Sequence, residues 1–318
     1  MSSTTNICDN IFEAIRKIDP NHIILQDHGQ PGGLICHQNF TCLDMGDGTV
    51  GAFPLNMSMQ YFRGENDRFE ECFSALDRVK DKDDRMIWQI KTRDFILLLQ
   101  RNPQIQHAIN QKEYIEFTAL AQHYGFPTRM LDVTNDILIA AYFATHDSNP
   151  ITGAFEVKKS GIGKIRWSVE LFQPEGRLVP IGMQPLSRPG AQSAFGIYLG
   201  EEEDYAKSSS FIEFKQDAAA NEKFHQMILA GPQQVYPLES INILANRIKN
   251  SPCVTSEAVD IFCQENGKPQ EEVKEILRRK KIHVVDAPVA DWCLLQGMPN
   301  GVPSFTRNKV LRPAVIIG

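Results

Sequence analysis

The segment QHYGFPTRMLDVT packs Gln122, His123, Tyr124, Thr128, Arg129, Asp132 and Thr134 into thirteen residues between two apolar helical stretches. Polar side chains held at fixed angles in such a place must find partners or stay in water. Two readings follow. Either Arg129 and Asp132 pair with each other and the loop caps two helices, or the group lines a binding cleft. Arg63, in YFRGE, carries the other candidate chemistry. A guanidinium forks onto phosphate oxygens, and the adjacent Gly64 lets another backbone or a ligand come close. A lone arginine at a strand end also reads as an ordinary surface charge. Other enzyme signatures are missing: no G-x-x-x-x-G-K-S/T loop, no G-x-G-x-x-G after a strand, no H-E-x-x-H and no G-x-S-x-G. The eight histidines are dispersed without metal-ligand spacing, so no metal is expected.

The elements that must position these residues are legible in outline. Ile11, Phe12, Ile15 and Ile18 predict a short helix over 8–18. Short β-prone runs at His22–Leu25, Gly33–Cys36, Val50–Phe53 and Met57–Phe62, with Gly-rich turns between them, predict a small sheet that ends at Arg63. Residues 67–123 have helical texture, interrupted at Asn102-Pro103. KEYIEFTALAQHY reads as an amphipathic helix stopping at Gly125. PTRMLDVT is an extended piece, and Thr134, Asn135 or Asp136 caps the next helix, ILIAAYFATHD. Strands return at Gly153–Val157, Lys164–Val169, Ala194–Leu199 and Phe211–Phe214, and the tail from about 240 is mainly helical. The expected class is α+β: small mixed or antiparallel sheets flanked by amphipathic helices, with a helical C-terminal region. No clear linker is visible. The expected layout is a segment 1–54 with a helix and β-rich runs, a core domain over 55–235, and a helical extension over 236–318 packed on the core.

Of the 318 residues, 42% are apolar and 23% charged, enough to bury a full core. The net charge of −6, without a basic tail, does not advertise a surface for long nucleic acid. Seven scattered cysteines without a C-x-x-C pair read as reduced thiols, and neither Cys72 nor Cys293 has a neighbouring base in sequence. The N-terminal residues lack a signal-peptide pattern and no apolar run spans a bilayer, so a cytoplasmic location without a membrane partner is expected.

Tyr61-Phe62-Arg63-Gly64, then A-x-x-Q-H-Y-G-F-P-T-R-M-L-D-V-T, then A-A-Y-F-A, resembles the FRG domain, which is named for its Phe/Tyr-Arg-Gly motif. Arg188-Pro-Gly-Ala-Gln192-Ser-Ala-Phe195 is similar to the family's third block. Val133 stands where the family usually has Trp, and Met130 where it has Leu. The resemblance runs from about 55 to 230. It implies a bacterial or phage protein of a kind associated with defence or toxin systems, and an ADP-ribosyltransferase-like core. In R-S-E type ADP-ribosyltransferases a strand-end arginine holds the NAD phosphates, a Ser/Thr-bearing strand follows, and a glutamate stabilises the oxocarbenium-like state. Arg63 fits the first part, and Thr128 or Thr134 the second. The third departs: Gln192 is followed by Ser193 and Ala194, and a glutamine supplies no negative charge. Glu156, Glu175, Glu213 or Asp132 is left to supply the carboxylate.

Two functions are therefore expected. One is an NAD-dependent transferase or glycohydrolase acting toward an unknown macromolecular acceptor. Its catalytic set is Arg63, Tyr124, Asp132 and Gln192, and its cofactor contacts are Arg63, Gly64, Gln122, His123, Thr128, Arg129, Thr134 and Arg188. Tyr124 or His123 takes the nicotinamide side. The other is a non-catalytic module that binds a small nucleotide or a nucleic-acid end through Arg63, Arg129 and Arg188, with Tyr124 as a stacking platform. A purely architectural motif is the bland third reading.

Overall fold

The computed structural model describes residues 7–19, 40–44, 48–54, 60–148, 155–170, 176–182, 184–229, 235 and 239–295. The predicted strands His22–Leu25 and Gly33–Cys36 lie outside them. The chain opens with α1 (Ile11–Ile18), capped by the Asn10 side chain accepting from Glu13 N, and with Ile11, Ala14 and Ile15 buried on one face. β1 (Phe40–Asp44) and β2 (Val50–Pro54) form an antiparallel hairpin. β3 (Gln60–Glu65) follows. Arg63 thus lies inside a strand, two residues before its end, and not at the terminus the glycine suggested.

α2 (Lys82–Gln100) starts where the Asp81 carboxylate caps Asp83 N and Asp84 N, and α3 (Pro103–Asn110) where Asn102 does the same with proline at the first turn. α4 spans only Phe117–His123, because Glu116 caps it late, and Gly125 closes it with φ 83°. β4 (Met130–Thr134) leads to α5 (Ile137–Thr145), which is capped by Asp136 and buried almost all round. β5 (His146–Ser148), β6 (Phe155–Val157), β7 (Ile162–Val169), β8 (Leu178–Pro180), α6 (Ser187–Ala191), β9 (Ala194–Tyr198), β10 (Ser210–Lys215) and α7 (Ala218–Leu229) complete the central part. The C-terminal part comprises α8 (Ile241–Asn250), β11 (Cys253–Thr255), α9 (Ser256–Asn266), α10 (Gln270–Arg279) and β12 (His283–Val285). It is less purely helical than its composition suggested, since β11 and β12 pair in parallel.

One antiparallel sheet of six strands organises the core, in the order β10-β7-β3-β4-β9-β8. The α+β class is as expected. Strand alternation gives the sheet two different faces. Phe62, Ile165 and Phe214 face α1, α5 and α7 in an apolar cluster. Tyr61, Leu131, Val133, Phe195 and Ile197 build a smaller cluster with Tyr205 on the other face. The tail is tied back by Trp292, whose Nε1 donates to Leu98 O at 2.8 Å. Among the described residues no helix is long and apolar enough to cross a membrane.

Candidate functional site

β3 and β4 are neighbours in the sheet, yet they touch at a single register pair, Phe62 opposite Thr134. Beyond it the strands part. Arg63 lies in this gap, and its Nη1 donates to the main-chain carbonyl of Asp132 at 2.9 Å. On its other side Arg63 stands directly opposite Arg166 of β7. Like charges opposed across an antiparallel pair repel. Glu65, two residues on and so on the same face, accepts from Arg166 Nε with both oxygens at 2.9 Å. That pairing neutralises Arg166 and leaves Arg63 to the gap. Burial works against the Arg63 charge, but the acidic groups around it, Cys72, Glu65, Asp132 and Tyr205, push its affinity for the proton up.

A cleft of about 220 Å³ opens at the parting of the strands. It is lined by Arg63 of β3, by Met130, Leu131 and Asp132 of β4, by Ala75 and Arg78 on one segment, a first wall, and by Gln122, Gly125, Phe126 and Pro127 on another, a second. The first wall is pinned to the second by Leu76 N donating to Thr128 O at 3.1 Å. Buried polar atoms that make no hydrogen bond occur on two of its lining residues and on sequence neighbours of others. Arg63 Nε, Asp77 Oδ1, His123 Nε2, Arg129 Nε and Asp132 Oδ1 all belong to residues lining the cleft or set between its lining residues in sequence. Native proteins rarely leave such atoms unmet, so the two on lining residues, Arg63 and Asp132, make this cleft the candidate polar site. A larger groove of about 410 Å³ is lined by Arg247, Asn250, Ser251 and Cys253 and by residues between Val285 and Val289, none of which carries a buried polar atom without a hydrogen bond.

The residues expected to act together are only partly brought together. Arg63, Gln122 and Asp132 line the cleft. Arg63 and Asp132 nevertheless leave the sheet on opposite faces, since Asp132 shares its face with Thr134 and hence with Phe62. They meet only through the gap. Asp132 does not pair with Arg129, which instead reaches Glu201 at 3.3 Å. Gly64 faces α5, away from the cleft: a Cβ there would lie 1.9 Å from Ala140 O. The backbone that its small size admits is therefore a helix.

Tyr124 is 2% exposed and packs against Phe95, with its hydroxyl donating to Glu239, so its ring is core and offers no open face to a base. Arg188 is 1% exposed. It stacks 4.6 Å over Tyr124, donates to His123 O and Asn242 Oδ1 at 2.8 Å each, and lies 3.7 Å from Glu239. It braces the end of α4 from behind the cleft. His123 is buried beside it, and desolvation lowers its basicity, opposed by the charge of Asp132. Thr128 donates to Gln122 Oε1 and accepts from Met130 N, which fixes the cleft-lining amide. Thr134 donates to Gln192 O at 2.9 Å, and Gln192 Nε2 donates to Val235 O at 3.2 Å, so both shape the turn after α6.

Of the candidate glutamates, Glu213 is buried against Lys164 and Arg68, Glu156 is exposed on β6, and Glu175 lies outside the described residues. Arg78 was not singled out by sequence; it sits among alternating charges in LDRVKDKDD, where nothing separates a site residue from a solvated one. No group of three or more His, Cys, Asp or Glu residues that could hold a metal ion occurs among the described residues.

These residues carry a family signature. The family model described as FRG domain matches residues 58–152, which include Arg63, Arg78, the wall from Gln122 to Pro127, and Asp132. The block from Arg188 to Phe195 lies outside that match. No curated protein and no solved structure matches the chain. Over residues 58–152, then, this chain carries an FRG domain.

Proposed function

We propose that the cleft between β3 and β4 seats the phosphate and ribose end of a small nucleotide such as NAD, and that the chain is an NAD-using transferase or glycohydrolase. The observation that carries this reading is that Arg63 and Asp132 both line one cleft and that each keeps a buried side-chain atom, Nε and Oδ1, without a hydrogen-bond partner. The guanidinium supplies charge-assisted donors to a phosphate oxygen. The carboxylate accepts from a ribose hydroxyl, or supports the positive charge that develops as nicotinamide leaves. At about 220 Å³ the cleft is smaller than the roughly 300–1,000 Å³ of pockets that engulf a whole ligand, which fits capture of one end with the rest outside. A role in phage defence or a toxin system is the setting that the family resemblance suggests.

A second reading, binding without turnover, rests on a different observation. Arg63 bonds the Asp132 main chain, while the Asp132 carboxylate leaves the opposite face of the sheet. Calorimetric titration of the full chain with NAD, with free nicotinamide assayed, separates the two. Nicotinamide release that is lost in both Arg63→Ala and Asp132→Asn supports the enzyme. Binding lost in Arg63→Ala, with no release from any form, supports the sensor. No binding and no release overturns NAD as the ligand.

A further inference from the structure

Nearly every arginine among the described residues is held. Among the described residues Arg16, Arg85 and Arg247 bond main-chain carbonyls. Arg68, Arg93, Arg101, Arg129, Arg166, Arg177, Arg278 and Arg279 hold carboxylates. Arg63 and Arg188 are anchored as described above. Arg78 is the exception: no hydrogen bond or ion pair engages its guanidinium among the described residues, although it lines the same cleft as Arg63. Residue 78 is exposed.

The backbone that carries Arg78 is fixed where its side chain is not. Arg78 N donates to Ser74 O at 3.2 Å, and Val79 N to Leu76 O at 3.1 Å. Asp77 N donates to Ser74 Oγ at 3.1 Å, and Ser74 Oγ donates to Asp77 Oδ2 at 2.7 Å. The turn is in turn tied to the opposite wall through Thr128 O. The hydrogen-bonded turn thus presents a long, unengaged cation to the cleft that Arg63 also lines. Although much of the side chain is open to water, partial desolvation by the surrounding protein, and then the positive charge of Arg63, hold Arg78 below the ordinary arginine range. An anion between the two relieves that repulsion.

We infer that Arg78 is the second arm of a two-arginine clamp that selects a phosphate dianion or diphosphate over a singly charged group. The inference rests on the reading of the cleft as a nucleotide site and adds the residue that sets its charge preference. Each charge-assisted bond to a dianion contributes enough to change affinity by roughly ten- to a hundredfold. Because Arg78 is exposed, its contribution is also screened by salt.

The test titrates the full chain with inorganic pyrophosphate, inorganic phosphate, NAD and acetate at two salt concentrations, as wild type, Arg63→Ala, Arg78→Ala and Arg78→Lys. The clamp predicts that Arg78→Ala weakens pyrophosphate and NAD by about tenfold or more. It also predicts a flatter salt dependence, part of the affinity kept by Arg78→Lys, and an unchanged melting temperature. Wild-type binding lost in Arg63→Ala but kept within about twofold in Arg78→Ala, with the salt dependence intact, overturns the clamp and leaves the cleft reading standing. Wild type that prefers acetate to pyrophosphate overturns the charge preference. Wild type that binds none of the anions overturns the cleft reading and the clamp with it.

Discussion

Arg63 Nη1 lies 2.9 Å from the carbonyl oxygen of Asp132, a bond that joins two residues 69 positions apart where the strands carrying them separate. In a regular antiparallel pair that carbonyl would take a main-chain N–H from β3; after Phe62 and Thr134 the ladder stops, and a side chain takes over. The guanidinium therefore has a structural duty besides any ligand. Arg63→Ala leaves the Asp132 carbonyl without its donor and is expected to cost about 1–3 kcal/mol of stability, read from urea denaturation. Arg63→Lys keeps a single donor and charge, so it is expected to recover most of that stability. A lysine holding the carbonyl cannot fork onto phosphate, and pyrophosphate affinity should stay about tenfold down.

Gly64 is fixed by the helix behind it. A Cβ would meet Ala140 O at 1.9 Å and Ala144 N at 2.7 Å, both main-chain atoms of α5. Neither can swing away as a side chain would. Gly64→Ala is expected to lose at least about 1–3 kcal/mol by forcing α5 off the sheet, a loss visible as a lowered denaturation midpoint.

Tyr124 separates a core role from a ligand role. Its hydroxyl donates to Glu239, Lys249 Nζ donates to Tyr124 O at 2.9 Å, and Arg188 stacks on its ring. Through these contacts α8, Glu239 two residues ahead of it and Arg188 of α6 hold the wall from Gln122 to Pro127. Tyr124→Phe removes a bond to a charged acceptor and is expected to cost about 1.5–3 kcal/mol, while NAD affinity stays within about twofold. A large loss of affinity without loss of stability would return the ring to the ligand. Lys249→Met is expected to speed amide exchange at Tyr124 to Phe126 and leave β3 unchanged.

Much of this arrangement was legible in the residues. Capping at Asn102 and Asp136, the stop at Gly125 and the strand period around Leu131 and Val133 are local effects, written in local sequence. What escaped was set by packing partners distant in sequence. Gly64 next to Arg63 reads as room for a ligand until α5 is known to pass behind it. Arg129 beside Asp132 reads as a pair until Glu201 is found to be closer. Arg188 and Tyr124 have the chemistry of phosphate and base contacts, and only burial shows that they brace a wall. The notch that holds Arg63 depends on how far two strands stay in register, which no single strand encodes.

Acid should act on this fold through two opposed groups. Burial pushes the Asp94 carboxyl up to about 6, against the bonds from Thr255 and the charges of Arg101 and Lys91. A carboxyl that binds protons more tightly folded than unfolded, where its ordinary value is 3.8, removes stability as pH rises through that interval, and the loss is complete above about 6. His146 is the reverse. Burial lowers it from 6.5 to about 4, against its bond to Tyr142 O, with His225, Glu222 and Asp147 as the nearby charges. A base weakened by folding adds stability above its unfolded value and loses it as pH falls from 6.5 toward 4. Each group shifts stability by an amount on the order of 2–3 kcal/mol, and in the wild type they largely cancel between pH 4 and 7. Asp94→Asn should therefore become more acid-labile than wild type across that window, and His146→Gln less so. Denaturation free energies of both variants, taken as differences from wild type at pH 4.5 and pH 7, check this: differences that do not move with pH, or that move in the same direction for both, rule out the opposed pair.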